Sequence, residues 1–247
     1  MQLASKKYRD KFGLYLIEGD NLIAEAMKQD TKVESVFIRD DRDARVGPAE
    51  QEPFVLNKKL FDGIALTEAS QGIVAVVRKR EYTEEDFFGS CGGGNVVVLD
   101  RLQDPGNIGT VIRTAEAAGY KGLIAMKGTG DLYSPKTVRA AAGALFRLPV
   151  LFIDTPGRAL EILKESGKKI VGACMDAEIC CYDADLTGGV ALVIGSEGAG
   201  LCDEFRGGAD LAVRIPMEAP ADSLNAAVAA GILMYESKRK GRKCTTS

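Results

Sequence analysis

Short apolar runs alternate with amphipathic stretches through the first part of the chain. Leu14–Ile17, Val33–Ile38, Phe54–Leu56 and Ile73–Val77 have the length and composition of strands, and helices are predicted over 21–29 and from about Lys58 to Ala65. This alternation predicts a small α/β unit over residues 1–80. From Glu81 the pattern breaks: Glu84-Glu85-Asp86 gives way to Gly92-Gly93-Gly94, and such a composition predicts a linker over 81–94. Beyond it the strands change character. Val96-Val97-Val98-Leu99 lacks any polar alternation, the mark of a central parallel strand covered on both faces. Leu123–Met126, Ile170–Ala173, Ala191–Ile194 and Leu211–Ile215 repeat it, with helices between most of them. Residues 95–247 therefore read as a doubly wound α/β unit, whose ligands belong beyond the carboxyl ends of its strands.

A length of 247 residues agrees with two compact units. No apolar run approaches the ~20 residues of a membrane span, and Met1 to Arg9 lacks the apolar stretch of an export signal, so a cytoplasmic protein without a membrane partner is expected. The six cysteines form no C-x-x-C pair and histidine is absent, so no familiar zinc spacing exists and no metal is expected. The missing histidine also removes the commonest general base and the Ser-His and Cys-His dyads. A net charge of -3 argues against indiscriminate coating of DNA or RNA. Basic clusters at Lys6, Lys7, Arg9 and Lys11, at Arg78-Lys79-Arg80, and from Lys238 to Lys243 nonetheless make an RNA partner plausible, although each alone is equally a solvated face.

Three segments follow strands and carry candidate chemistry. In the first, Asp104-Pro105-Gly106-Asn107 is turn chemistry, and Asn107 is placed to cap a helix. At ~100° per residue Ile108, Val111, Ile112 and Ala115 then form an apolar stripe, while Gly109, Arg113 and Glu116 occupy another flank. Arg113 points away from the core, with Gly109 leaving room beside it; a plain surface arginine fits the same pattern. The second segment, Gly195-Ser196-Glu197-Gly198-Ala199-Gly200, lets backbone approach a ligand. Its spacing is neither the dinucleotide fingerprint nor a phosphate-binding loop, and a simple turn remains an alternative. The third runs from Ile215-Pro216-Met217 to Ser223-Leu224-Asn225. Asp222 or Ser223 is placed to cap a last helix whose Leu224, Ala227, Val228, Gly231 and Tyr235 share a stripe, suited to core packing or to a dimer interface.

Together these segments resemble the SpoU (TrmH-like) family of RNA ribose 2′-O-methyltransferases, within the knotted SPOUT class. The family's Asn-x-Gly-x-x-x-Arg stands here as Asn107, Gly109 and Arg113; its apolar-Gly-x-Glu-Gly-x-Gly as Ile194, Gly195, Glu197, Gly198 and Gly200; its third motif as Ile215-Pro216-Met217 and Ser223-Leu224-Asn225. Ser134 to Arg139 and Gly143 to Val150 also look like family sequence, whereas Ala219, Ala226 and Ala227 stand where the family commonly has Gly, Val and Ser. The likeness is strong over about Asn95 to Lys240. The first unit is similar, more loosely, to a substrate-binding domain of the ribosomal-protein L30e fold.

The resemblance implies an α/β fold ending in a deep trefoil knot, an exception to the rule that chains do not thread their loops. It implies S-adenosylmethionine as cofactor, held by Gly195, Gly198, Gly200, Ile215, Met217 and Leu224. It implies catalytic roles for Arg113, Asn107, Glu197, Ser223 and Asn225, with Arg113 serving the partner's cofactor in a homodimer built through the C-terminal domain. The implied substrate is a structured RNA, 23S ribosomal RNA before transfer RNA. A non-catalytic RNA-binding protein of the same fold is one alternative. A nucleotide-dependent oxidoreductase is another, disfavoured by the missing glycine fingerprint.

Overall fold

The computed structural model describes residues 2–29, 31–42, 52–218 and 223–241. The chain opens with helix α1 (Lys6–Phe12), strand β1 (Leu14–Glu18), α2 (Asp20–Lys28), β2 (Val33–Arg39), β3 (Phe54–Leu56), α3 (Lys58–Asp62) and β4 (Ile73–Arg78). These strands form a mixed sheet in the order β1-β4-β2-β3. After α4 (Glu84–Cys91) come β5 (Val96–Leu99), α5 (Pro105–Ala118), β6 (Gly122–Met126), α6 (Pro135–Ala141), β7 (Val150–Ile153), α7 (Pro156–Glu165) and β8 (Lys169–Ala173). The chain ends with β9 (Ile179–Cys180), β10 (Val190–Ile194), α8 (Asp203–Gly208), β11 (Leu211–Arg214) and α9 (Ala226–Gly241). The second sheet has the order β7-β6-β5-β10-β8-β11-β9, and every neighbouring pair in it is parallel.

The uniformly apolar β5 lies inside that sheet, between β6 and β10, and all four of its residues are buried. Alternate side chains serve opposite faces. Val97 and Leu99 pack with Ile108, Ala115, Ala230 and Leu233, while Val96 and Val98 pack with Phe87, Ile162 and Phe205. The first of these clusters continues into Tyr15, Ile17 and Ile23, so the two sheets share one apolar core. After β11 the chain therefore crosses from the face carrying α8 to the face carrying α5 and α9.

Several expectations are corrected. Residues 81–94 are not a linker throughout, because Glu84–Cys91 is helical and buries Phe87 and Cys91. Its three acidic residues lie in the first turn, where they favour the positive end of the helix, and the Thr83 hydroxyl accepts from the Asp86 amide at 3.1 Å. The first-turn cap of α5 is Asp104 rather than Asn107, with its carboxylate accepting from the Asn107 amide at 2.8 Å. The cap of α9 is Asn225, whose Oδ1 accepts from the amides of Ala227 and Val228 at 2.9 and 3.3 Å. The alternative cap Asp222, the variant position Ala219 and the basic residues Arg242 and Lys243 lie outside the described residues. The stripe expected on α9 splits: Ala227 is buried with Ala230, Leu233 and Met234, whereas Leu224, Val228 and Tyr235 face outward. Strands β7 and β9 were not among the expected strands.

Gly109 is buried and does not clear space for Arg113. A Cβ there would stand 2.4 Å from the Ala140 Cβ and 2.6 Å from the Thr137 carbonyl oxygen, so α6 packs directly on the glycine backbone. Replacing Gly109 with Ala is expected to lower stability by about 1–3 kcal/mol through overpacking, read as a drop of several degrees in Tm.

Candidate active site

A cleft of about 700 Å³ opens at the carboxyl ends of β8 and β10. That volume is typical of a site for a molecule of cofactor size. One wall is the turn after β10. Ser196 and Gly200 exchange backbone hydrogen bonds at 3.1 and 3.0 Å, and Gly200 takes a φ of +65°, closing residues 195–200 into a tight hairpin with Glu197 near its tip. Gly195, Glu197, Gly198, Gly200, Ser223, Leu224 and Asn225 all line this cleft, so most of the residues singled out in the sequence converge. Ile215 and Met217 line an adjoining apolar recess that shares Leu224 with the cleft.

Glu197 ties this hairpin to the start of α5. Its carboxylate accepts from the Asn107 side-chain amide at 3.0 Å and from the backbone amides of Asp104 and Gln103 at 3.2 and 3.3 Å. Asn107 then accepts from the Asn225 side-chain amide at 2.9 Å. Because Asp104 does the capping, the Asn107 side chain is free to join these two loops. The first, second and third sequence segments thus meet in one chain of hydrogen bonds. Burial pushes the Glu197 carboxyl up, but the combined donation from Asn107, Asp104, Gln103 and its own backbone outweighs this and holds it below the ordinary glutamate value.

The sign of that shift fixes a pH dependence. A carboxyl whose folded value is depressed stabilises the fold above its unfolded value and loses that contribution as pH falls through the folded one. The Tm difference between the wild type and Glu197→Gln is therefore expected to be greatest near neutral pH and to shrink in acid. Parallel thermal melts from pH 7 to pH 3 would check it; a constant difference would contradict it.

Arg113 stands apart from this network. It is exposed, does not line the cleft, and has no hydrogen bond or ion pair among the described residues. Six residues beyond Asn107 on α5, it lies about 9 Å further along the helix axis. Ser223 likewise is exposed at the cleft rim with no such partner among the described residues.

Sequence reasoning missed Ala173, the last residue of β8, and Cys174, Met175 and Asp176 immediately after it as lining of the same cleft. Their position at and beyond the carboxyl end of an identified parallel strand was the signal that marked them. It also missed Asp100, buried after β5, which accepts from the Cys202 amide at 2.6 Å and so joins the β5 loop to the chain beyond the hairpin. Much of the basic sequence has structural employment. Arg9 is buried against Asp131, Arg78 pairs with Glu34 and Lys79 with Asp10, and Arg80 donates to the carbonyls of Phe146 and Gln29. Lys6, Lys7 and Lys11 remain exposed.

A parallel sheet with interleaved carboxyl-terminal strands, a glycine hairpin and an adjoining apolar recess defines an α/β-knot methyltransferase. Residues 94–235 match the SpoU rRNA Methylase family and residues 1–75 the MRM3-like substrate binding domain, and the chain belongs to the SpoU rRNA methylase family. It is 34% identical over 238 residues to the 23S rRNA (guanosine(2553)-2′-O)-methyltransferase RlmP of Bacillus subtilis (strain 168), covering 95% of this chain and 92% of that protein. Its fold is similar to that of the SpoU methyltransferase AviRb from Streptomyces viridochromogenes solved in complex with AdoMet, with a TM-score of 0.87, 30% identity, and 98% and 96% of the two chains covered. An AdoMet-bound rRNA methyltransferase from Sinorhizobium meliloti gives a TM-score of 0.86 at 32% identity, over 96% of this chain and 91% of that one.

Proposed function

We propose that this protein transfers the methyl group of S-adenosylmethionine to a ribose 2′-hydroxyl of 23S ribosomal RNA. The observation that carries the reading is the convergence of the Gly195–Gly200 hairpin, Asn107 and Asn225 around Glu197 at the rim of a cleft of about 700 Å³. Two features fit the donor. The hairpin offers backbone where side chains would obstruct, and Ile215, Met217 and Leu224 offer an apolar wall for an adenine. Bound there, S-adenosylmethionine supplies an electrophilic methyl group on a sulfonium.

The chain's own residues bind and position. Gly195, Gly198 and Gly200 present backbone to the donor, and Leu224 and Met217 exclude water from it. Asn107, Glu197, Ser223 and Asn225 fix the rim against which the acceptor sugar is held, and such positioning supplies much of the acceleration. Arg113 orients the phosphate beside that sugar and stabilises the charge developing on the attacking oxygen. A guanidinium stays protonated in proteins and does not take the proton, which leaves an RNA phosphate or solvent as acceptor.

The placement of Arg113 outside its own chain's cleft supports a homodimer in which it serves the partner's site. The outward Val228 and Tyr235, 52% and 50% exposed on α9, give such a dimer an apolar surface. Residues 1–80 serve as the RNA-binding unit and 95–247 as the catalytic one. A ribosomal substrate supports a cytoplasmic enzyme. Transfer RNA is the alternative acceptor.

Incubating the protein with methyl-labelled S-adenosylmethionine and 23S ribosomal RNA from cells lacking its gene is expected to place label on a single ribose. Label appearing in transfer RNA alone would reassign the substrate, and none in either would end the reading.

A further inference from the structure

Arg113 has no hydrogen-bond or ion-pair partner among the described residues although α5 carries an acidic residue one turn further on. Glu116 is the only acidic residue of that helix, and at three residues' separation it lies on the flank of Arg113, where side chains pair readily. The Glu116 carboxylate is held instead by Arg147. Its guanidinium grips Glu116 with both arms, Nε donating to Oε1 and Nη2 to Oε2 at 2.9 Å, while Nη1 bonds Glu25 on α2. A planar fork of this kind uses both carboxylate oxygens at once. Glu116 first, then Glu25, holds the Arg147 guanidinium above its ordinary value.

We infer that Arg147 is a positioning residue for Arg113, occupying the Glu116 carboxylate so that the Arg113 guanidinium stays free to meet RNA. The inference rests on the role proposed for Arg113. Arg147 follows the short helical turn Ala144–Phe146, and the residues before β2 hold that turn from the other side, because Arg80 donates to the carbonyls of both Phe146 and Gln29. Glu25 belongs to the same substrate-binding unit, so docking of that unit helps to set Arg147 and thereby keeps Arg113 available. Removing Arg147 exposes Arg113 to capture by Glu116 and leaves two carboxylates facing each other.

The test is a suppressor experiment read as kcat for RNA methylation, with the Kd for S-adenosylmethionine measured alongside. Arg147→Ala is expected to lower kcat about 2- to 5-fold, the range an exposed ion pair can impose, with cofactor affinity unchanged. Arg147→Lys, which keeps the charge but loses the fork, is expected to fall between. Adding Glu116→Gln to either variant is expected to restore kcat, because the competing carboxylate is then gone. Adding Glu25→Gln to Arg147→Ala relieves the same carboxylate repulsion but leaves Glu116 beside Arg113, so it is expected not to restore kcat, whereas a purely structural role for Arg147 predicts that Glu25→Gln and Glu116→Gln rescue alike. Unchanged kcat in both single variants, or a loss that Glu116→Gln does not reverse, overturns the inference; if Arg147→Ala fails to fold, Arg147→Lys with and without Glu116→Gln decides it. Full activity in Arg113→Ala would instead overturn the underlying role of Arg113, so the two failures are distinguishable.

Discussion

Replacing Arg113 with Ala is expected to reduce methyl transfer about a thousandfold, or some 4 kcal/mol of transition-state stabilisation, while S-adenosylmethionine binds as before. The separation of the two effects follows from position. Arg113 is exposed and outside the cleft, and no described residue depends on it for a hydrogen bond, so its loss creates neither a cavity nor an unpaired buried group. A ribose hydroxyl is a poor nucleophile, and this chain has no histidine to draw off its proton. In the proposed mechanism, catalysis leans on a preorganised cation near the oxygen and its neighbouring phosphate. Arg113→Lys keeps a charge without the bidentate fork and is expected to fall between. Single-turnover rates with saturating donor, set beside equilibrium binding of the donor, would separate chemistry from affinity. If the Arg113→Ala protein loses donor binding in proportion to activity, the guanidinium is part of the donor site and not of the acceptor's.

The sheet and the convergence of the three segments were legible because buried parallel strands leave uniform apolar runs, and because ligand loops follow such strands directly. Val96–Leu99 and Ala191–Ile194 show this, lying side by side in register. Harder to see were features set by competition between neighbours. Asn107 and Asp104 are both good caps; Pro105 suits the first turn of a helix, which selects Asp104 and releases Asn107 for Glu197. The stretch 81–94 looked like a linker because acidic residues and glycines dominate it. Phe87 and Cys91, with Tyr82 and Phe88 packed beside them, dock its helix. Strand β7 is an apolar run as long as β5, and it was missed because the motif Gly143 to Val150 was read as ending inside it. The basic runs were ambiguous for a different reason: charge in a sequence does not reveal whether its counterion is RNA or Asp131, Glu34 and Asp10.

The Gly195→Ala protein is expected to lose donor affinity by about two orders of magnitude, or ~3 kcal/mol, from the addition of one methyl group. A Cβ at this position would lie 2.2 Å from the Gly200 carbonyl carbon, 2.4 Å from its oxygen and 2.5 Å from the Leu201 nitrogen. All three are backbone atoms, so no side chain can swing aside, and the hairpin itself has to open. Opening breaks the paired hydrogen bonds between Ser196 and Gly200 and moves Glu197, which holds the Asn107 and Asn225 side of the rim in place. One substitution thereby spoils the donor wall and the acceptor rim together. Gly89, on α4 and away from the cleft, provides the contrast: a Cβ there meets nothing within 4 Å, and Gly89→Ala is expected to bind donor normally and to melt slightly higher. Calorimetric titration of both variants would decide the matter. Wild-type affinity in Gly195→Ala would mean that the hairpin does not form the donor's wall, and the role assigned to the cleft would fall with it.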